Sequence, residues 1–221
     1  MSRRVLVLCA MAEEAAAFHS GDTPVSWRVV TTGIGTVNAA ISATEHILEY
    51  DPTLVISAGS AGGLGAGVAI GDVVVGSAYR YHSADASAFG YEPGQIPQMP
   101  SCYGATHEIL TRARNHQHET TPGGPRLHIG EIVSGDAFVT ADQVDRVRET
   151  FPLALATDME SAAIAQTCHR LEVPFVSIRA ISDLCDGSAS TSFHLTLEEV
   201  AVRAAQWTLT LANPQPMDQV V

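Results

Sequence analysis

The run "FVSIRAIS", residues 175–182, gives the most direct indication of the fold. It is one continuous, largely apolar stretch of strand-like composition. A strand that is covered on both faces is apolar along its whole length, because neither face meets water. We therefore expect this run to lie near the centre of a sheet that is packed between layers of helices.

Outward from this run, apolar β-branched runs alternate with helical patterns along the chain. The other strand-like runs are "RVLVLC", "SWRVVTT", "TLVISA", "DVVVGSA", "GEIVS" and "LALAT". Such alternation is typical of an α/β protein, here a three-layer α/β/α sandwich with a central mixed sheet. We find neither a repeat nor an interdomain linker, so residues 1–221 are predicted to form a single domain.

Two helices are well marked, and one segment between elements is predicted as a loop. Residues 37–50 show a helical period, with one face made of Val37, Ala40, Ile41, Thr44 and Leu48. The last helix is predicted to open with a capping box over 196–199 and to run to about Ala212. Residues 115–128 are polar and rich in turn residues, which favours a surface loop. His116 and His118 lie there without a third ligand at metal-site spacing, so no metal site is predicted.

Composition restricts the chemistry and the partners. The chain has 221 residues, of which 46% are hydrophobic, and a formal net charge of −12. This charge argues against nucleic acid or an anionic membrane as a partner and favours a neutral or cationic small molecule. All twelve basic residues are arginine. The absence of lysine excludes a Walker A lysine, a Schiff base and a pyridoxal phosphate anchor.

The cysteines and the N-terminus indicate a cytoplasmic protein. No two of the four cysteines form a C-x-x-C pair, so we expect free, reduced thiols. The N-terminal apolar run resembles a signal peptide, but Glu13 and Glu14 interrupt it after about eight residues. No apolar run approaches the roughly 20 residues that span a bilayer.

Two glycine-containing stretches match ligand-binding motifs only in part. Gly33-Ile34-Gly35 begins like a dinucleotide fingerprint, but Asn38 stands at the third glycine position. Ser60 lies between glycine-rich turns, but Ala58 occupies the position where a nucleophile elbow needs glycine. The stretch "ISAGSAGG" is either a place where backbone approaches a ligand closely or simply a tight connection after a strand.

Acidic residues follow three of the predicted strands. The pair at 13–14 follows the first strand, Asp158 and Glu160 follow "LALAT", and Asp183 ends "FVSIRAIS", with Arg179 four residues earlier. Ligands of open α/β sheets gather at the carboxyl ends of strands, so these carboxylates are predicted to converge on one cleft. The alternative is local, because Asp158 and Glu160 also suit the first turn of the helix predicted after them.

Eight motifs, in order and over nearly the whole chain, carry a resemblance to a known family. The chain resembles the 5′-methylthioadenosine/S-adenosylhomocysteine nucleosidases of the purine nucleoside phosphorylase superfamily. The motifs are "AMAEE" (10–14), "TTGIG" (31–35), "SAGSAGG" (57–63), "GDVVV" (71–75), "AFGYEPGQIP" (88–97), "IVSGDAFV" (132–139), "DMESAAIAQTCH" (158–169) and "VPFVSIRAISD" (173–183).

The resemblance implies a fold, a reaction and roles for individual residues. The fold is nucleoside phosphorylase/hydrolase-like. Glu14 matches the acid that orients or deprotonates the attacking water, and Asp183 the acid that protonates the five-membered ring of adenine. Glu160 matches the residue that holds the ribose hydroxyls. The further substrate-binding residues implied are Met11, Ser60, Ala61, Gly62, Phe138, Val139, Met159, Arg179 and Phe193, with Phe89, Tyr91 and Pro97 lent by the partner subunit of a homodimer.

The implied reaction is hydrolysis of the N-glycosidic bond of methylthioadenosine, S-adenosylhomocysteine or 5′-deoxyadenosine, without a cofactor or metal. Breaking this bond builds positive charge on the sugar and negative charge on the base. A carboxylic acid at the base, a carboxylate at the sugar and a distant carboxylate for water suit that chemistry.

Three alternatives stay open at this stage. A phosphate-dependent phosphorylase on the same fold is disfavoured, because Glu14 would repel phosphate and the loop "AMAEE" offers no arginine. A futalosine or aminodeoxyfutalosine nucleosidase is compatible with the motifs. A silent nucleoside-binding protein would not need an acid beside the leaving group.

Overall fold

The computed structural model describes residues 3–19, 23–24, 26–117, 124–186 and 196–213. Its strands are β1 (Val5–Cys9), β2 (Trp27–Thr31), β3 (Leu54–Gly63), β4 (Val73–Tyr81), β5 (Tyr103–Gly104), β6 (Leu127–Ser134), β7 (Ala154–Asp158) and β8 (Phe175–Asp183). Its α-helices are α1 (Ala12–Ala16), α2 (Thr36–Tyr50), α3 (His107–His116), α4 (Val144–Thr150), α5 (Ser161–Leu171) and α6 (Leu197–Ala212).

The strands form one mixed sheet with β8 at its centre. The order is β2-β1-β3-β7-β6-β4-β5, and β8 pairs in parallel with β3 and antiparallel with β4. The pairings of β3, β7, β6, β4 and β8 therefore run in a closed ring, and β1 and β2 extend the sheet beyond β3. The predicted α/β class with a central mixed sheet is confirmed, and so is the central position of "FVSIRAIS".

Helices cover both sides of the sheet. Along β1, Val5, Val7 and Cys9 belong to one buried cluster and Leu6 and Leu8 to another, because successive side chains of a strand point to opposite faces. The first cluster includes apolar residues of α1, α3 and α6, and the second includes those of α2 and α5. Each fully buried Val or Leu contributes about 1.5–3 kcal/mol to folding. Burial on both sides explains why these strands are apolar throughout.

The apolar face of α2 is not the face that packs on the sheet. Its buried residues are Ala39, Ser42, Ala43 and Ile47. By contrast, Val37, Ile41 and Leu48 are 66%, 53% and 70% exposed. The helical period predicts the helix itself, but the apolar face that it marks is largely exposed, because α2 packs against α5 through small side chains that let the two helices approach closely. We call Val37, Ile41 and Leu48, with the preceding Ile34, the α2 stripe.

The start of α6 agrees with the sequence prediction, whereas the predicted loop over 115–128 differs from it. Thr196 and Glu199 form the predicted capping box, with Glu199 N donating to Thr196 Oγ1 at 3.2 Å, and α6 ends at Ala212. The predicted loop over 115–128 is shorter than expected, because His116 belongs to α3 and Leu127 already begins β6. His118 lies outside the described residues. No helix in the described ranges is long and apolar enough to cross a membrane.

Candidate active site

A cavity of about 200 Å³ opens at the carboxyl ends of β1, β3, β7 and β8. Its walls come from the loop after β1, the last residues of β3, the β7–α5 junction, the end of β8 and the loop after β6. The residues predicted for the site that line this one cavity are Met11, Glu14, Ser60, Ala61, Gly62, Phe138, Val139, Met159, Glu160, Arg179 and Asp183. The structure thus places together segments that are up to about 170 residues apart in sequence.

Glu14 is held by four hydrogen bonds at one side of the cavity. It occupies the third position of α1, directly after β1, and its carboxylate reaches back to the start of the helix. Oε2 accepts from the backbone N–H groups of Ala10 (2.9 Å) and Met11 (3.2 Å). Oε1 accepts from the N–H (2.9 Å) and the hydroxyl (3.1 Å) of Ser60, at the end of β3. The buried carboxylate therefore has a fixed orientation.

Gly59 leaves the room that the Glu14 carboxylate occupies. A Cβ at this position would lie 2.4 Å from Glu14 Oε1 and 2.7 Å from Glu14 Cδ. We expect Gly59→Ala to displace the carboxylate and to lower kcat/KM by about 10–100-fold, since a misplacement of about 1 Å can cost about 100-fold. Steady-state kinetics of the nucleoside hydrolysis that the resemblance implies checks this.

The matched control is Gly67→Ala, because a Cβ at this exposed glycine meets no atom within 4 Å. The control should leave kcat/KM within about twofold of the wild-type value, as surface substitutions usually do. Equal rates for the two variants would contradict the importance of the Glu14 position.

Glu160 faces the cavity rather than capping α5. It is the residue before α5, but its side chain makes no capping hydrogen bond. Oε1 accepts from Gly35 N–H at 3.0 Å, and Oε2 lies 3.5 Å from Arg179 Nη2. Burial raises the pKa of Glu160 to about 7; Asp158 and Glu14 add to the rise, while Arg179 and the Gly35 N–H oppose it. Gly35 presents this N–H with φ at +101°, in a region that favours glycine.

Asp158 performs the capping role that the sequence leaves open. Its Oδ1 accepts from the N–H groups of Glu160 (3.3 Å) and Ser161 (3.2 Å), which are orphan donors at the start of α5. It also accepts hydrogen bonds from the Ser134 and Ser161 hydroxyls. Its Oδ2 lies 2.8 Å from Arg179 Nε, in an ion pair that is almost fully buried.

Arg179 lines the cavity and pairs with both acidic residues at the start of α5, Asp158 and Glu160. It lies on β8 opposite Gly59 of β3, and it is fully buried. Nη2 donates to Ser57 Oγ at 2.7 Å, and Nη1 lies 3.4 Å from the Ser60 carbonyl. Burial alone would lower the pKa of Arg179, but Asp158, Glu160 and Glu14 outweigh it and raise the pKa. The guanidinium is therefore a permanent cation among carboxylates.

Asp183 is the last residue of β8, and it lines the same cavity. Its Oδ1 accepts from Cys185 N–H at 3.0 Å, and its Oδ2 accepts from Ser182 Oγ at 2.9 Å. The β3–β8 register shifts between Ala61 and Gly62, so that Gly62 pairs with Asp183. This irregularity brings the Asp183 carboxyl into the cavity that Glu14 and Glu160 also line.

Several predicted residues lie elsewhere, and several lining residues were not predicted. Phe89, Tyr91 and Pro97 are absent from the cavity lining of their own chain, and Phe89 is 84% exposed. Phe193 lies outside the described residues. The lining residues that were not predicted from the sequence are Ala10, Ile34, Ala137, Thr157, Ser182 and Cys185, while Asp158 was predicted at the cleft without an assigned role. Apart from Ile34, each lies within two positions of a predicted residue, which is the one signal that could have found it.

Comparison with known proteins agrees with this geometry. Residues 18–213 match the family model of the phosphorylase superfamily, so fold and cavity define a member of that superfamily. A 5′-methylthioadenosine/S-adenosylhomocysteine nucleosidase of Staphylococcus aureus is 43% identical over 181 residues, which cover 80% of this chain and 77% of the relative. The chain therefore belongs to the 5′-methylthioadenosine/S-adenosylhomocysteine nucleosidase family.

Solved structures of such nucleosidases superpose closely on the chain. The enzyme from Neisseria meningitidis, in complex with methylthio-immucillin-A, has a TM-score of 0.85 at 36% identity and covers 94% of this chain and 97% of its own. The enzyme from Colwellia psychrerythraea, in complex with adenine, has a TM-score of 0.87 at 33% identity and covers 96% and 95%.

Proposed function

We propose that this chain hydrolyses the N-glycosidic bond of 5′-substituted adenine nucleosides, namely methylthioadenosine, S-adenosylhomocysteine and 5′-deoxyadenosine. The products are adenine and the free 5′-substituted ribose. The observation that carries the proposal is the arrangement of three buried carboxyl groups, Glu14, Glu160 and Asp183, around one cavity. The names of the relatives and the adenine and nucleoside-analogue ligands of the solved structures support the same substrate class.

Each carboxyl group has a distinct task in this reaction. Asp183 protonates the departing adenine, which removes the negative charge that builds on the base. Glu160 accepts hydrogen bonds from the ribose hydroxyls and stabilises the developing positive charge on the sugar. Glu14, from the opposite side, orients water and accepts its proton as the water attacks the anomeric carbon. Ser60 and the Ala10 and Met11 amides hold Glu14 for this task.

The electrostatics of the cavity favour water over phosphate as the nucleophile. Among the described residues that line the cavity, Arg179 is the single arginine, and it is already paired with Asp158 and Glu160. Glu14 would face a bound phosphate anion, and two like charges in a buried site repel strongly. A phosphorylase would need a cationic anion site, and this lining offers no unpaired arginine for one.

A product assay tests the proposed reaction. Purified protein is incubated with methylthioadenosine, with and without phosphate, and the products are separated. We expect adenine and free methylthioribose at a rate independent of phosphate. Methylthioribose-1-phosphate that appears only with phosphate would establish a phosphorylase instead. Cleavage of aminodeoxyfutalosine but not of methylthioadenosine would move the substrate to the futalosine class, and binding without cleavage would indicate a silent binder.

We also propose that the active form is a homodimer in which each subunit supplies Phe89, Tyr91 and Pro97 to the cavity of its partner. The α2 stripe supports this proposal, because it leaves large apolar side chains exposed along one helix face. Ile34, the first residue of the stripe, also lines the cavity. A second subunit seated on the stripe would therefore reach the mouth of the cavity.

The double variant Val37→Glu/Ile41→Glu is expected to be monomeric and to lose about tenfold or more in kcat/KM, because buried charges at an interface are costly. Light scattering after size-exclusion chromatography gives the mass, and adenine release gives the rate. The matched control is Val202→Glu, an apolar-to-acidic change on the exposed face of α6. A wild-type protein that is monomeric and fully active would contradict the proposal.

The four cysteines also bear on the cellular location. All four are free thiols, and three of them are buried. Reduced thiols are typical of cytoplasmic proteins, so we propose that the enzyme acts in the cytoplasm.

A further inference from the structure

We propose that Cys185 is a positioning residue for the catalytic acid. In this proposal its thiol and its backbone N–H together hold the Asp183 carboxyl in the orientation that delivers the proton to the leaving base. The inference rests on the proposed function, because it assigns a task to Cys185 within that same site. It differs from a packing role, which would require only that the side chain fill space.

The backbone around Cys185 turns back toward Asp183. Cys185 follows Asp183 by two residues and has φ at +56°, in the left-handed region that a side chain adopts at some cost. This conformation allows its N–H to donate to Asp183 Oδ1 at 3.0 Å. The residue is also buried, so the turn is part of the interior of the protein.

The Cys185 thiol lies beside Gly62, next to Asp183 Oδ1, the oxygen that accepts from the Cys185 N–H. A Cβ added to Gly62 would be 2.4 Å from Cys185 Sγ and 3.3 Å from Asp183 Oδ1, so both atoms surround one small space. Cys185 also lines the cavity. A side chain at position 62 would push Sγ out of this space, so Gly62 leaves room for the thiol beside the Asp183 carboxyl.

The thiol acts as a hydrogen-bond donor and not as a nucleophile. Burial raises the pKa of Cys185 to about 12, and the Asp183 charge and hydrogen bond add to the rise. The thiol is therefore protonated throughout the working range of the enzyme. Ser182 Oγ donates to Asp183 Oδ2, and the Cys185 N–H donates to Oδ1. Asp183 therefore has a donor on each oxygen, and rotation of its carboxyl group is restricted.

The alternative is that Cys185 only packs. It belongs to a buried cluster with Leu64, Val133, Val139 and Phe151, so a space-filling role is physically reasonable. Serine and alanine separate the two roles. Both leave a smaller side chain than cysteine, but only serine keeps a donor at this position.

The test compares Cys185→Ser and Cys185→Ala by kcat, by KM and by thermal unfolding. For Cys185→Ala we expect kcat to fall about fivefold, as for one lost hydrogen bond of ordinary strength, with KM within about twofold. Cys185→Ser keeps a donor and should restore kcat. Cys168→Ala, a buried cysteine outside the cavity, serves as the control and should keep the wild-type kcat.

A second measurement does not depend on activity. The S–H stretching band of Cys185, assigned by its loss in Cys185→Ser, should lie at the low wavenumber of a donating thiol and rise in Asp183→Ala. Equal kinetic losses in the serine and alanine variants, in proportion to lost thermal stability, would overturn the proposal, as would a band that Asp183→Ala leaves unchanged. Absence of adenine release by the wild-type enzyme would instead overturn the proposed function, while the infrared result would still decide whether Cys185 binds Asp183.

Discussion

Asp183→Asn is expected to lower kcat by about 1,000-fold while leaving the affinity for methylthioadenosine within a few fold of the wild-type value. Asparagine has the shape of aspartate, and its Oδ1 can still accept the hydrogen bond from Cys185 N–H. What it lacks is a proton to give to the departing base. Single-turnover adenine release measures the chemical step, and calorimetric titration with methylthioadenosine measures binding to the inactive variant.

The matched control for this variant is Asp145→Asn, at an exposed aspartate of α4 that is not among the cavity residues. It makes the same chemical change, and it should leave kcat unchanged within error. Turnover by Asp183→Asn at more than about a tenth of the wild-type rate would remove Asp183 from the mechanism. A parallel loss of binding and turnover would point to a role in substrate affinity rather than in proton transfer.

The placement of the acidic residues was largely predictable from the chain itself. Glu14 and Glu160 come shortly after apolar strands and Asp183 ends one, and the carboxyl ends of these strands meet at one cavity. The capping box at Thr196 and the central position of β8 were predictable for the same reason. In each case a local pattern, whether a capping pair or an apolar run, determines the structure directly.

Other features depend on contacts that local patterns do not contain. The helical period of α2 identifies an apolar face, but it does not say which face meets α5, and the small residues Ala39 and Ala43 are the ones that pack. Likewise, Glu160 accepts its hydrogen bond from the backbone of Gly35, 125 residues earlier in the chain. The closed ring of strands arises because β8 pairs with both β3 and β4, which strand propensity does not indicate.

The pair Asp158 and Glu160 shows why residue type and position alone do not assign a role. Both are buried acids at the start of α5, and both lie near Arg179. Asp158 is saturated by two backbone N–H groups, two hydroxyls and the guanidinium. Glu160 has one backbone N–H and a long contact to Arg179, so it retains acceptor capacity on the cavity side. The unsatisfied carboxylate is the one that can bind the sugar.

Glu160→Gln is expected to lower kcat/KM by at least about 100-fold, because the amide removes the charge that stabilises the cationic sugar. The same change should not reduce stability at pH 8. Because the pKa of Glu160 is about 7 in the folded protein, against an ordinary value of 4.5, the folded state disfavours the charged form. A raised carboxyl pKa contributes stability below pH 4.5, and that contribution is lost as the pH rises through 7.

Relative to the wild type, the glutamine variant should therefore gain stability between pH 4.5 and pH 8, by an amount on the order of 3 kcal/mol. Chemical denaturation at several pH values measures this gain, and adenine release measures the accompanying loss of activity. The comparison variant is Asp158→Asn, which removes the charge that caps α5 and pairs with Arg179. It should destabilise the protein by roughly 3 kcal/mol, because it leaves a buried guanidinium without its closest partner. If Glu160→Gln were instead as destabilising as Asp158→Asn and retained activity, Glu160 would be a structural residue of the helix start, and the sugar contact would have to be assigned to another group.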